Sequence, residues 1–256
     1  MSILKRYNGS SWVTVPDGTA FKYYNGSSWV NPSAVKYYNG SSWVTAWNKS
    51  DPVTYTYYPW FTDNLRHGTS NAWTTNTSNE PHIGAYNGSY PYPYVGVLSI
   101  GNSTDGNSAH NADQVIATRP VIKSITLRLT RASGVGLNAG VVSGTMNVGT
   151  MSYPVASWGT GTMATVDNYF DFNPNSTYSL SGWDYNASKT ITINAQHGYD
   201  MINSQRALII AGQTSNFTST ASFSGYSASL DYMKFYDHNN STAAYRPLFT
   251  ITFDYI

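Results

Sequence analysis

The chain has 256 residues, a formal net charge of +1 and no cysteine, which excludes a disulfide framework and thiolate metal sites and gives no electrostatic reason to bind nucleic acid or a membrane surface. Only 11% of residues are charged, against about a quarter in an ordinary soluble domain, and Glu80 is the only glutamate. With so few charged helix formers and with 22 Tyr and 8 Trp, the composition predicts an all-β, turn-rich protein whose surface is made of Asn, Ser, Thr and aromatic rings.

The chain opens on a repeat. Tyr7-Asn8-Gly9-Ser10-Ser11-Trp12-Val13 returns from Tyr24 to Val30 and from Tyr38 to Val44. Each copy reads as a β-hairpin, with Asn-Gly at the turn and aromatic or β-branched flanks. If Asn-Gly alone forms the loop, Tyr24 faces Ser27; if Asn-Gly-Ser-Ser forms it, Tyr24 faces Trp29 and Tyr23 faces Val30. The second register makes a cross-strand aromatic pair and is preferred. An isolated hairpin is marginal in water, so three in a row lack a core of their own. Tyr7, Trp12, Tyr24, Trp29, Tyr38 and Trp43 are therefore expected to mediate oligomerisation, with a trimer preferred. Residues 1–50 carry five basic side chains and one acidic (+4), and the remainder nine basic and twelve acidic (−3). This asymmetry predicts a boundary near residue 50, dividing a 1–50 repeat stalk from a 51–256 head.

Residues 54–58 are predicted as the first strand of the head. In Tyr90-Pro91-Tyr92-Pro93-Tyr94 the prolines argue against a central strand and for an extended surface loop or an edge. A buried strand over 95–100 and a polar loop over 101–114 follow. From residue 121 the alternation in Ile125-Thr126-Leu127-Arg128-Leu129 predicts a strand with one buried face. Further strands are expected over 135–142, 168–172 and 190–193, a central strand over 207–211, and a last strand with Phe249, Ile251, Phe253 and Tyr255 on one face. Short strands separated by turns predict an antiparallel β-sandwich or jelly roll, with no helix longer than about two turns.

Several of these segments resemble a known family. Val97-Leu98-Ser99-Ile100, then Ile122 to Leu129, then Tyr245-Arg246-Pro247-Leu248-Phe249-Thr250-Ile251-Thr252-Phe253 are similar to strands of DNRLRE-type and carbohydrate-binding-module-like jelly rolls. The Tyr-Asn-Gly-Ser-Ser-Trp-Val repeat resembles the W-N-G-S-x-W-V repeats of tail-fibre and minor tail proteins of phages of Gram-positive hosts. These resemblances imply a virion-surface appendage. Its stalk would contact copies of itself and other virion proteins, and its head host cell-wall polysaccharide. The sequence shows no charged-then-apolar signal peptide, which fits assembly inside a bacterium.

Catalytic parts are sparse. A glycan hydrolase needs two carboxylates at a set separation. Glu80 stands alone, and Asp167 with Asp171, or Asp231 with Asp237, read better as turn residues. No nucleophile elbow or zinc helix is present. His67, His82, His110, His197 and His238 lie in polar contexts and are expected in loops. No cofactor is expected. A structural calcium in the oxygen-rich stretch Asn102-Ser103-Thr104-Asp105-Gly106-Asn107 is the single alternative, although it lacks a terminal bidentate Glu. Sugar binding needs aromatic faces beside amides and hydroxyls. The candidates are Trp73, Tyr90, Tyr92, Tyr94, Trp158, Trp183, Tyr226 and Tyr232, with Trp158 and Trp183 equally readable as core. The expectation is a non-enzymatic adhesion protein; a purely structural virion decoration or connector protein is the alternative.

Overall fold

The computed structural model describes residues 5–7, 9–14, 22–30, 32, 34–48, 51–67, 73–76, 80–87, 91–132, 145–154, 170–180, 182–211 and 232–254. Three hairpins open the chain: β1 (Lys5–Tyr7) with β2 (Trp12–Thr14), β3 (Tyr23–Tyr24) with β4 (Trp29–Val30), and β5 (Ala34–Tyr38) with β6 (Trp43–Asn48). Each is a two-stranded sheet that shares no strand pairing with the rest among the described residues.

The hairpins adopt the four-residue loop. Tyr7 pairs with Trp12, Tyr24 with Trp29 and Tyr38 with Trp43, while Tyr23 faces Val30 and Tyr37 faces Val44. Only the glycine uses positive φ: 102° at Gly9, 99° at Gly26 and 98° at Gly40. The Asn serves as an acceptor instead. Asn25 Oδ1 accepts from the Ser27 amide (3.0 Å), the Ser27 hydroxyl (3.0 Å) and the Ser28 amide (2.9 Å), and Asn39 repeats this with Ser41 and Ser42. In the second and third copies the repeat thus acts locally: Asn caps the turn, Gly makes it, Ser closes it, and Trp packs on Tyr.

The remaining strands form one eleven-stranded antiparallel sheet. In chain order they are β7 (Val53–His67), β8 (Trp73–Asn76), β9 (His82–Asn87), β10 (Pro91–Ser103), β11 (Val121–Thr130), β12 (Thr145–Pro154), β13 (Phe170–Ser179), β14 (Ser188–Ile193), β15 (Arg206–Ala211), β16 (Tyr232–Lys234) and β17 (Leu248–Asp254). The main path runs β13-β12-β15-β10-β7-β17-β11-β14, with β8 on β7, and β9 joining β10 to β16. Among the described residues two α-helices interrupt it, α1 (Ala112–Thr118) and α2 (Ala195–Asn203).

The sheet curls so that its two halves face each other. One core contains Leu98, Met146, Val148, Leu208 and Ile210 from β10, β12 and β15 together with Ile125, Leu127, Ile191, Phe249 and Ile251 from β11, β14 and β17. This is the sandwich arrangement expected from the strand pattern. The opposite face of the β7, β10, β12 and β15 half carries a second buried cluster, Leu65, Val95, Val97, Met151, Ala207, Ile209 and Ala211. Both faces of β15 are therefore covered, which explains why residues 207–211 read as a continuous apolar run.

The fifteen-residue β7 holds the halves together. Its residues Val53 to Tyr57 pair with β17, and Tyr57 to Arg66 pair with β10. At the crossover the β7–β10 register breaks twice. Phe61 faces Ser99 and Pro59 faces Ile100, so Trp60 is an extra residue on β7; Tyr57 faces Ser103, so β10 bulges in turn around Gly101 and Asn102. Pro59 is accommodated there because a bulge frees it from donating to the ladder. A Cβ on Gly101 would collide with the Tyr58 carbonyl oxygen, so only glycine fits. Across this irregularity the odd positions change faces: Tyr55 and Tyr57 join the first core, Phe61 and Leu65 the second.

Two expectations are corrected and one is narrowed. Of the loop or edge expected over Tyr90 to Tyr94, Pro91 to Tyr94 take the edge form as the leading end of β10: among the described residues both prolines pair only with β9, whereas pairing with β7 begins at Tyr94. The stretch 101–114 holds the end of β10, a 3₁₀ turn (Ser108–His110) and the start of α1. Helix α2 runs to nine residues; Asn194 caps it by accepting from the Gln196 amide at 2.9 Å, and it buries His197, Gly198, Met201 and Ile202. The strand expected over 135–142 lies outside the described residues, as does Tyr255.

Candidate binding site

The paired bulges border a concave feature of the sheet. A cavity of about 400 Å³ opens where the β7–β10 crossover meets the start of α1 and the end of α2. Its wall includes Trp60, Asn102, Asn111, Asp113, Gln205 and Arg206, with Ile100, Met201 and Ile202 as apolar floor. The volume lies within the range of small-molecule sites. Trp60, the extra residue of the first bulge, is 60% exposed, and its ring touches Phe61 at 5.6 Å between centroids. Asn102 comes from the second bulge. Gln205 sits between α2 and β15 with φ of 51°, one of two non-glycine residues at positive φ among the described residues.

The polar atoms of this wall divide into used and unused. Asn111 Oδ1 accepts from the Ser103 amide at 2.8 Å, and Asp113 accepts from Gln114 at 3.2 Å. Asn102, Gln205 and Arg206 make no side-chain hydrogen bond within the described residues. An exposed indole face beside unengaged amides and a guanidinium supplies the parts for holding a pyranose: a flat apolar platform, donors and acceptors.

Beside the cleft, Ser103, Asp105 and His110 form a hydrogen-bonded cluster. Ser103 Oγ donates to Asp105 Oδ1 at 2.6 Å, the Asn107 amide donates to the same oxygen at 2.9 Å, and His110 Nδ1 contacts Asp105 Oδ2 at 2.5 Å. Ser103 and then His110 hold the Asp105 carboxyl down at about 2. These are the residue types of a nucleophilic triad in another order: the serine bonds the carboxylate directly, and the imidazole sits on the carboxylate's other oxygen rather than on the serine. Tyr55 stacks on His110 at 4.3 Å, and the Tyr57 hydroxyl donates to the His110 carbonyl at 2.9 Å, so the cluster ties the loop to the sheet. In the stretch considered for calcium, Asp105 is thus engaged by protein groups, and no three His, Asp or Glu side chains converge among the described residues.

Glu80 occupies a polar cluster on the β9–β16 side. Lys234 Nζ lies 3.1 Å from its Oε2 and His82 Nε2 3.7 Å, the latter long for a hydrogen bond. His82 and Lys234 hold the Glu80 carboxyl below its usual range against the opposing effect of burial. His82 is buried, and burial pushes its imidazole below the ordinary histidine value. His197 is fully buried in α2. Neither is the loop residue expected of it.

The sequence candidates separate by exposure. Trp183 is 2% exposed, donates from its indole nitrogen to the Ala187 carbonyl at 2.8 Å and packs on Phe235; it is core, not a ligand platform. Tyr94 is also buried, edge-on to His82, and leaves the ligand set. Trp73, Tyr92 and Tyr232 lie on β8, β10 and β16, and their side chains are outside the described residues, as are Tyr90, Trp158 and Tyr226 altogether. The hairpin rings are open to solvent: Trp29 is 67% and Trp43 69% exposed, each tilted against its Tyr at 5.6 and 5.7 Å. Tyr7 and Trp12 share that pairing in backbone, with side chains outside the described residues. Sequence reasoning missed Trp60, Asn102, Gln205 and Arg206. Pro59-Trp60 inside an otherwise strand-like run was the available signal for a bulge.

No protein-family model matches this chain, and no curated protein matches it in sequence.

Proposed function

We propose that this chain is a non-enzymatic virion appendage protein of the tail-fibre kind, located at the virion surface, whose head adheres to host cell-surface carbohydrate. The observation that carries the reading is the exposed Trp60 face beside the unengaged side chains of Asn102, Gln205 and Arg206 in one cleft. Its stalk is the hairpin array, assembled with other copies of the chain, three by resemblance, and docked on other virion proteins. A cleft this open binds weakly, with a Kd of about 1 mM corresponding to only about −4 kcal/mol. Several heads on one assembly raise the effective affinity without new contacts. The placement of His110 on Asp105 rather than on Ser103, and the pairing of Glu80 with Lys234, favour a binding role over hydrolysis.

The exposed Tyr24–Trp29 and Tyr38–Trp43 faces favour one other reading, a connector or decoration protein whose aromatic surfaces meet only virion proteins. Adsorption separates the two. The full-length protein displayed on beads should bind susceptible cell walls, and Trp60→Ala should abolish that binding without changing the thermal transition. Failure to adsorb to any susceptible wall leaves the connector reading.

A further inference from the structure

Arg206 differs from the other arginines whose side chains the structure describes. Arg119 donates to the Asp51 carbonyl, Arg128 to that of Arg246, Arg131 to that of Trp183 and Arg246 to that of Asn240. Among the described residues Arg206 alone has no acceptor and no carboxylate within 4.0 Å, although it is half-buried at the first position of β15. Asp113 shares the cleft but is engaged by Gln114 and forms no ion pair across it. Its donors, bound to no acceptor among the described residues and open to the cleft, are available to a ligand. The residue before it, Gln205, follows the C-cap of α2 in the left-handed region, a common way to end a helix, and this turn sets where Arg206 enters β15 beside the cleft.

We propose that Arg206 is an anion-recognition residue, and that the cleft takes a pyranose carrying a carboxylate or phosphate, its ring on Trp60, its anion on Arg206 and its hydroxyls on Asn102 and Gln205. The proposal rests on the glycan-adhesion reading above and names the ligand class for the same site. A planar guanidinium suits both anions, because each offers two oxygens to its fork of donors.

The test is calorimetric titration of the full-length protein with a neutral cello-oligosaccharide, an oligogalacturonate and a phosphorylated mannose oligosaccharide. At least one anionic probe should bind about tenfold or more tighter than the neutral one. Raising salt from about 0.15 M to about 0.5 M should weaken that probe alone. Arg206→Gln should erase the preference, and Arg206→Lys should keep part of it. The salt response of the unaltered protein decides the matter even where a variant folds poorly. Equal binding of neutral and charged probes, or a preference unchanged in Arg206→Gln, overturns the anion assignment and leaves adhesion standing. No binding to any probe or to host cell walls removes the adhesion reading and the inference with it.

Discussion

Asp63 should make the protein less stable at neutral pH than an uncharged residue of the same shape would. It lies on β7 between Phe61 and Leu65, whose side chains belong to the second core, and opposite the buried Val97. Burial there pushes its carboxyl from 3.8 up to about 6, against the opposing hydrogen bond from the Asn64 amide at 2.7 Å. The folded state therefore binds more protons than the unfolded chain between these values, and stability falls as pH rises through that window. At about 1.4 kcal/mol per pH unit, the difference corresponds to an upper bound of about 3 kcal/mol, and partial solvent access lowers the expectation to about 1–2 kcal/mol. Asp63→Asn keeps an oxygen for the Asn64 amide and removes the charge. Urea unfolding at about pH 8 should show the variant more stable by that amount, and at about pH 4 the two proteins should coincide. A difference that does not change with pH, or a variant destabilised at pH 8, would refute the desolvation argument.

Other outcomes rest on the same geometry. Replacing Asn25 and Asn39 together with Ala removes three accepted hydrogen bonds per turn and should cost each hairpin about 1 kcal/mol or more; near-ultraviolet circular dichroism of the Tyr–Trp pairs should weaken while the main unfolding transition stays put. Lys234→Met should cost about 1–2 kcal/mol at neutral pH by leaving Glu80 half-buried and unpaired. Because the Glu80 carboxyl is held low, that cost should be present above 4.5 and fade as pH falls through its folded value, as read by melts across acid pH. Deleting residues 1–50, or replacing Trp12, Trp29 and Trp43 with Ala, should leave a soluble, cooperatively folding monomer by light scattering; a full-length monomer, or an oligomer unaffected by the deletion, would remove the stalk proposal.

The fold was legible where one residue's local preference and its tertiary role coincide. Ile125, Leu127 and Leu129 alternate because one face of β11 is buried, and Tyr24 pairs with Trp29 because the four-residue Asn-Gly-Ser-Ser loop sets that register. It was illegible where tertiary packing overrides local preference. Helix α2 contains Gly198 and few strong helix formers, yet that glycine lets the helix sit close on β11: a Cβ would lie 2.8 Å from the Ile122 Cδ1 and push that side chain aside. The spacing of His197 and Gly198 with Met201 and Ile202, four apart on one face, was the pattern available to find it. Tyr-Pro-Tyr-Pro-Tyr left loop and edge open, because prolines exclude only a strand whose two neighbours both need its amides; among the described residues Pro91 and Pro93 have one neighbour, so the edge form holds. Aromatic abundance says nothing of exposure: of the ligand candidates, Tyr94 and Trp183 are buried, the latter as its alternative core reading had it, while Trp60 is exposed.

The cleft and the sandwich have a common cause. β7 must pair with β17 through its first half and with β10 through its second, and its odd-numbered side chains must move from one core to the other on the way. A regular strand cannot do this, because its side chains alternate with period two. An extra residue does it, and in β7 that residue is Trp60, which then has no facing partner and projects from the ladder. The compensating bulge on β10 needs Gly101 against the Tyr58 carbonyl and turns Asn102 toward the same space. In the adhesion reading the platform is thus placed on the sheet, not on a loop, which lowers the ordering cost of holding a ligand. In the adhesion reading, a rigid head of this kind makes single contacts weak but uniform. Those are the properties from which an oligomeric stalk carrying several heads gains most, since each further contact then adds through effective concentration alone.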